Sequence, residues 1–475
     1  MPIEERYQPS PRLLELGESF YDPVRPARFP KPTLRFRNDR WAARVGLADL
    51  DAAEWEAHFA RFEPLPENLP GPLAMRYHGH QFQMYNPNLG DGRGFTFAQM
   101  IETPGGRLLD FGTKGSGTTP YSRGGDGKLT LKGGVRETLA AEMLEALGVD
   151  TSKTFSLFET GESLWRHDEP SPTRAAVLVR LSHSHIRFGT FQRHAYHRAT
   201  EDIRRLIAFC AEHYLPELRA VNADDLPARF LEAVTERAAD LAASWMAAGF
   251  VHGVLNTDNM NVTGESFDYG PYRFLPTFDP TFVAAYFDPS GLYAFGRQPS
   301  AVLWSLEQLA ECLTPLTSRA ALAAALEGYP MTFDRRFRRR VVERLGLNPT
   351  DADLDSALVE AAYRLLAESQ VGYERFFFDW YAGSLSEARA LAGPVAEKYQ
   401  GEAYHAFRRA LDKFEPAHPE RLEDPYFQSG KPCTLLIDEI EWIWEAIAEK
   451  NDWSRFERKI DAIRRMGAAL GNAPE

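Results

Sequence analysis

Two short segments carry side chains whose types and spacing could do chemistry together. One is His252-Gly-Val-Leu-Asn-Thr-Asp258-Asn259, and the other is Asp268-Tyr269-Gly270, which begins nine residues after Asn259. An Asn carbonyl and an Asp carboxylate are hard oxygen ligands, suited to a Mg²⁺ that also holds nucleotide phosphates. The same residues would also suit a plain turn between strands, because Asn and Asp favour turns by hydrogen-bonding their own backbone.

The spacing favours the first reading. Enzymes of the kinase type place an Asn seven residues after a His in a catalytic loop, then a metal-binding Asp in a DFG-type triplet. Asn259 and Asp268 fit both places. A kinase also needs a catalytic Asp two residues after the His, and that place holds Val254, which cannot accept a proton. The carboxylate stands at Asp258 instead, which counts against plain phosphotransfer.

Further upstream, Leu89-Gly90-Asp91-Gly92-Arg93-Gly94 enters a strand. Glycines let a backbone approach phosphates closely, and an Arg among them supplies charge. Lys114 ends the next strand. Glu137 shares a helix face with Ala140, Ala141 and Leu144. A carboxylate on an apolar face is costly unless paired, so Glu137 wants a cation, and Lys114 is the candidate; attraction of a helix-start Glu to the macrodipole is the competing account. The loop Gly115–Gly127 is polar and Gly-rich. Arg180 and Arg187 flank Leu-Ser-His-Ser-His-Ile and could hold phosphate oxygens bidentately. The pairs His78/His80 and His183/His185 do not suggest zinc, since no Cys or carboxylate completes either set at a familiar spacing.

These residues need elements to position them. Phe95–Ile101 and Leu108–Thr113 read as strands around a Pro-Gly-Gly turn, and Ala175–Leu181 as another strand. Val135–Leu147 reads as a helix stopped by Gly148. A helix is expected to start near Thr200, and Leu226–Ala248 reads as a long one. Beyond Pro299 the text is mostly amphipathic helix, including Ala301–Leu313, Leu354–Ser369 and Ile437–Lys450. The stretch to about Pro72 is Pro-rich with little periodicity, and reads as an extended arm.

Composition narrows the class. At 475 residues the chain has room for two or three domains, with 44% apolar residues to fill a core. The net charge of −13, without a basic stripe, argues against nucleic acid or an anionic membrane surface as partner. Cys210, Cys312 and Cys433 are far apart, so neither a disulfide framework nor a zinc site is indicated. Met1–Arg12 lacks the apolar run of a signal peptide, and Leu241–Leu255 is too short to span a bilayer. A reducing, cytoplasmic setting is expected.

Taken together, the segments resemble the selenoprotein O family, whose bacterial members are cytoplasmic protein adenylyltransferases with a pseudokinase fold. The resemblance rests on Gly79-His80-Gln81-Phe82, Leu89–Arg93, Ser182–Phe188, His252–Met260, Asp268–Tyr272, Tyr293-Ala294-Phe295 and Gln298-Pro299. It covers residues 75 to 300; the tail beyond 330 matches only in being helical. It implies an α+β, kinase-like two-lobed fold: an arm over 1–75, an N-lobe over 76–180, a C-lobe over 181–330 and a helical extension over 331–475. It implies a nucleotide flipped relative to a kinase, with AMP passing from ATP to Ser, Thr or Tyr hydroxyls of proteins and pyrophosphate leaving. Asp258 would accept the proton, and Asn259 with Asp268 would hold Mg²⁺ or Mn²⁺. Gly90, Gly92, Arg93, Lys114, Asp126, Gly127, Arg180 and Arg187 would surround ATP along with Asp268, with Glu137 partnering Lys114. A kinase or a non-catalytic nucleotide-binding pseudokinase would use the same fold. Two departures stand out: Gln83 follows the Gly-His-Gln-Phe run where Gly is usual, and Ala284 stands where family members can carry a Cys, with no C-terminal Cys either, which counts against a redox switch built on those thiols.

Overall fold

The strand-turn-strand text around residues 95 to 114 lies at the middle of an eight-stranded antiparallel sheet. The computed structural model describes residues 6–167 and 169–472. In chain order the strands are β1 (Tyr21–Pro23), β2 (Thr33–Arg37), β3 (Leu73–Met75), β4 (Gly79–Gln81), β5 (Met84–Asn86), β6 (Thr96–Ile101), β7 (Leu108–Lys114), β8 (Leu129–Thr130), β9 (Lys153–Leu164), β10 (Thr173–Ser182), β11 (Phe250–Val251) and β12 (Arg273–Phe274). The large sheet runs β1-β3-β6-β7-β10-β9-β2, with β8 beside β10. Every residue of β7 is buried, including the polar Asp110, Thr113 and Lys114.

The Pro-rich beginning does more than wrap the body. It donates β1 and β2 to opposite ends of the sheet, together with helices α1 (Asp39–Arg44) and α2 (Ala52–Phe59). Asp51 and Glu54 cap α2 reciprocally, and its Trp55 stacks on Phe155 of β9 with ring centroids 5.0 Å apart. This aromatic layer under the sheet continues through Phe59, Phe97 and Phe111.

Helix α3 (Leu131–Ala146) crosses the other face, capped by the Thr130 hydroxyl and ended by Gly148 at φ +75°. It is buried almost throughout, because the helix Ser454–Leu470 lies against it. A Cβ on Gly467 would stand only 3.1 Å from Ala146, so glycine permits the close approach. Arg464 forks onto Glu142 at 2.7 and 2.9 Å.

After the sheet the chain becomes helical: α4 (Phe188–Tyr196), α5 (Thr200–His213), α6 (Leu226–Ala247) and α7 (Gln298–Leu313), then further helices including Ala352–Ser369 and Ile437–Lys450. None of the described helices is long and apolar enough to cross a membrane. The three cysteines are buried free thiols.

β4 and β5 form a hairpin in which Gln81 pairs with Met84, so the turn has two residues, Phe82 and Gln83. Both have positive φ, +49° and +62°, as a type I′ turn requires. That geometry explains why glycine was expected at 83: a non-glycine residue there carries left-handed strain. Gln83→Gly is expected to raise stability by about 0.5–1 kcal/mol once glycine's greater unfolded-state entropy is subtracted. A urea midpoint that stays put or falls would show the turn unstrained.

Candidate active site

The loop 252–259 is held from three sides by hydrogen bonds. His252, fully buried, takes the side-chain oxygen of Gln298 on its N–H at 2.9 Å, and its Nε2 donates to the Phe267 carbonyl at 2.9 Å. Burial pushes the His252 imidazole down from its usual range, so it stays neutral and ties the loop to the residue before Asp268. From the β4–β5 hairpin, the His80 N–H donates to Thr257 Oγ1 (2.7 Å) and the Phe82 N–H to Asn256 Oδ1 (3.0 Å). Gln192 of α4 accepts from Thr257 Oγ1 at 2.6 Å and donates to His80 Nδ1 at 2.7 Å. The Gly-His-Gln-Phe run is thus a clamp on the loop 252–259, and His80 is occupied as part of it.

Within the loop, Asn259 Nδ2 donates to the Val254 carbonyl at 3.0 Å, which fixes the amide and leaves its oxygen available. Asp258 is 9% exposed, and its Oδ1 has no hydrogen-bond partner among the described residues. Burial pushes its carboxyl up to about 6, against the opposing pull of Arg187.

Asp268 behaves oppositely. Lys114 Nζ stands 2.8 Å from its Oδ1, Arg180 Nη1 3.3 Å from the same atom, and Arg187 Nη1 3.5 Å from Oδ2. Burial would raise this carboxyl, but Lys114 first, then Arg180 and Arg187, outweigh it and hold it well below the usual carboxylate range. Lys114 also meets Glu137 Oε2 at 2.5 Å, with both side chains almost wholly buried. Asp268 itself sits at φ +67°, a left-handed conformation that Asp tolerates better than most residues. Arg187 reaches back to the Asp258 carbonyl at 2.6 Å and lies over the Tyr77 and Phe267 rings.

A cavity of about 580 Å³ opens over this cluster. Gly90, Gly92, Arg93, Lys114, Asp126, Gly127, Arg180, Arg187, Asp258 and Asp268 line it. Glu137 and Asn259 are not among the lining residues: the first stands behind Lys114, and the second is anchored to Val254. Asp126 sits at the rim, paired with Arg166 at 2.8 and 3.1 Å. The glycines serve packing as much as any ligand, since a Cβ on Gly90 would fall 2.3 Å from the Tyr121 ring. Thr119 and Ser122 hydroxyls donate to the Asp91 and Gly92 carbonyls, folding the Gly115–Gly127 loop over the earlier glycine loop.

Sequence reasoning passed over Tyr77, Asp91, Tyr121, Arg123, Lys128 and Arg166, which also line the cavity. Asp91 lay inside a motif already read, between Gly90 and Gly92, and could have been taken from it. Arg166 belongs to the β9–β10 turn, whose place beside the glycine loops no local pattern announces.

The family model of protein adenylyltransferase SelO matches residues 4–464. The chain belongs to this family. The SelO match takes in the helical tail, which by its own text matched only in being helical. Among its relatives, the protein nucleotidyltransferase YdiU of Synechocystis sp. is 46% identical over 466 residues, 96% of this chain and 97% of its own. Proteins of the same name from Gloeobacter violaceus and Trichormus variabilis are 44% and 42% identical, each over 96% of this chain and 94% and 96% of their own. Transfer of a nucleotidyl group to protein is thus the activity of the SelO family, to which this site belongs.

Two measurements test the electrostatics. Lys114→Met takes from Glu137 and Asp268 the cation they share and is expected to cost about 3–5 kcal/mol of stability, whereas Glu137→Gln leaves Lys114 paired with Asp268 and should cost less. The double variant should lose less than the sum, and strictly additive losses in urea unfolding would refute the pairing. For Asp258, a carboxyl titrating at about 6 is protonated below that pH and cannot accept a proton. Label transfer should therefore fall about tenfold per pH unit below 6 and stay level from 7 to 8. A profile flat down to pH 5 would exclude Asp258 as the base.

Proposed function

We propose that this chain moves AMP from ATP to Ser, Thr or Tyr hydroxyls of proteins, releasing pyrophosphate, in the cavity between the glycine loops and Asp268. The observation that carries the reading is the position of the carboxylates: Val254 stands where phosphotransfer needs a base, while Asp258 lies buried in the cavity with an unpartnered oxygen. Asp258 accepts the proton of the attacking hydroxyl, and its raised affinity for protons suits that task near neutrality.

Lys114, Arg180 and Arg187 are a cluster of fixed cations facing the cavity, suited to the outer phosphates that leave as pyrophosphate. Arg93, exposed at the mouth, and the backbone of Gly90, Gly92 and Gly127 border the same space, with Asp126 at the rim. Glu137 holds Lys114 in place rather than meeting the nucleotide.

Among the described residues no group of three His, Cys, Asp or Glu side chains is arranged for a metal ion. The donors Asn259 and Asp268 nevertheless fit Mg²⁺ or Mn²⁺, which take hard oxygens and keep sites for phosphate and water. A bound ion would offset charge developing on the phosphates.

The same reading takes residues 76–180 and 181–330 as the two lobes of a kinase-like fold, flanked by 1–75 and 331–475, and places the reaction in the cytoplasm. Its support is the antiparallel sheet that carries Lys114, the helix that carries Glu137, and the helical half that carries the loops.

Labelled ATP decides between the chemistries. Label from α-³²P-ATP should enter protein, γ-labelled ATP should leave none, and Asp258→Ala should lose transfer while still binding nucleotide. Transfer of the γ label alone would make the chain a kinase.

A further inference from the structure

Resting on the adenylyltransferase reading, we propose that the surface formed by the β4–β5 turn and the segment 282–287 is where the acceptor protein docks, and that it takes an extended segment with an apolar side chain near the modified hydroxyl. The hydroxyl must reach Asp258, so the acceptor has to lie against whatever borders that residue on the open side. The β4–β5 hairpin is one border: a Cβ on Gly79 would stand 3.1 Å from Asp258 Oδ1. The segment around Ala284 adjoins the start of the loop 252–259, since a Cβ on Gly253 would stand 3.0 Å from the Ala284 side chain.

Both elements carry exposed apolar residues. Met84 is 75% exposed, Tyr286 85% and Phe287 45%. They form one surface, because Phe82 of the hairpin turn meets Phe287 with ring centroids 5.9 Å apart, and Phe287 meets Tyr286 at 5.1 Å. Exposed aromatic and Met side chains gathered on one surface mark interaction sites. Charge points the same way. A quarter of the chain is Asp, Glu, Lys or Arg, yet no such residue occurs from Tyr77 to Gly90 or from Pro280 to Phe287. Neither segment therefore selects a charged sequence, and the two join in one apolar area that the hairpin carries up to Asp258. The hairpin backbone holds Asn256 and Thr257 directly, so this surface is continuous with the catalytic loop.

The test uses the full chain, Mg²⁺, α-labelled ATP and synthetic peptides carrying one Ser, Thr or Tyr, flanked by either Leu and Phe or Ser and Gly. The wild-type chain should favour the apolar set by about tenfold in kcat/KM, the size one buried apolar contact confers. Tyr286→Ser with Phe287→Ser should remove that preference while the KM for ATP stays unchanged. Met84→Ser, at a side chain that packs little, should reduce it and serves if the first variant folds poorly. Equal use of both peptide sets by the wild type, or a preference that survives these changes, overturns the inference. So does a wild type that labels proteins but no peptide, or light scattering that shows Tyr286→Ser dissociating a dimer, which would assign the surface to a second copy of the chain. If α label enters neither proteins nor peptides, it is the adenylyltransferase reading that has failed.

Discussion

A single buried carboxylate, Asp268, draws the architecture together. Its charge is tolerable only because Lys114 comes from the end of β7, Arg180 from β10 and Arg187 from just before α4. Leaving such a charge unpartnered costs several kcal/mol, about 3–5 in comparable buried pairs. The sheet, the helical half and the loop after β11 are therefore held in one relative placement. Glu137 extends the constraint to α3 by taking the other side of Lys114. Cations gathered this way are also a ready counter-charge for a polyphosphate.

Asp258 and Asp268 show how environment separates two chemically identical groups. Both are buried, but one is surrounded by cations and the other mostly by desolvating protein, so their proton affinities move in opposite directions. The Asp268 carboxyl is held well below the usual carboxylate range. The Asp258 carboxyl is pushed up to about 6 by burial. Thr257 and Asn256, clamped by the hairpin, keep the second group turned toward the cavity instead of toward solvent.

What could be read beforehand followed from short-range rules. The strands around the Pro-Gly-Gly turn, the α3 helix ending at Gly148 and the Lys114–Glu137 pair all obey local periodicity or the cost of a buried charge. Those elements form within a residue or a few of the expected limits. β9 was missed: its polar stretch Glu159-Thr-Gly-Glu-Ser is acceptable only because Arg35 and Arg174, distant in sequence, pair with Glu159. The early Pro-rich stretch hid two strands for a related reason, since each is short and finds its partner far along the chain. Arg166 and Tyr121 escaped notice because only the folded loops bring them to the cavity.

The contact between α3 and the helix Ser454–Leu470 gives the chain a temporal order. Arg464 holds Glu142 on the same helix that presents Glu137, and Gly467 lets the two helices touch. On the ribosome every residue lining the cavity emerges long before Arg464 does. A nascent chain therefore carries all its cavity residues while the helix behind them is still unbraced on its outer face. The helix that presents Glu137 thus gains this outer support from a segment about 320 residues further along the chain.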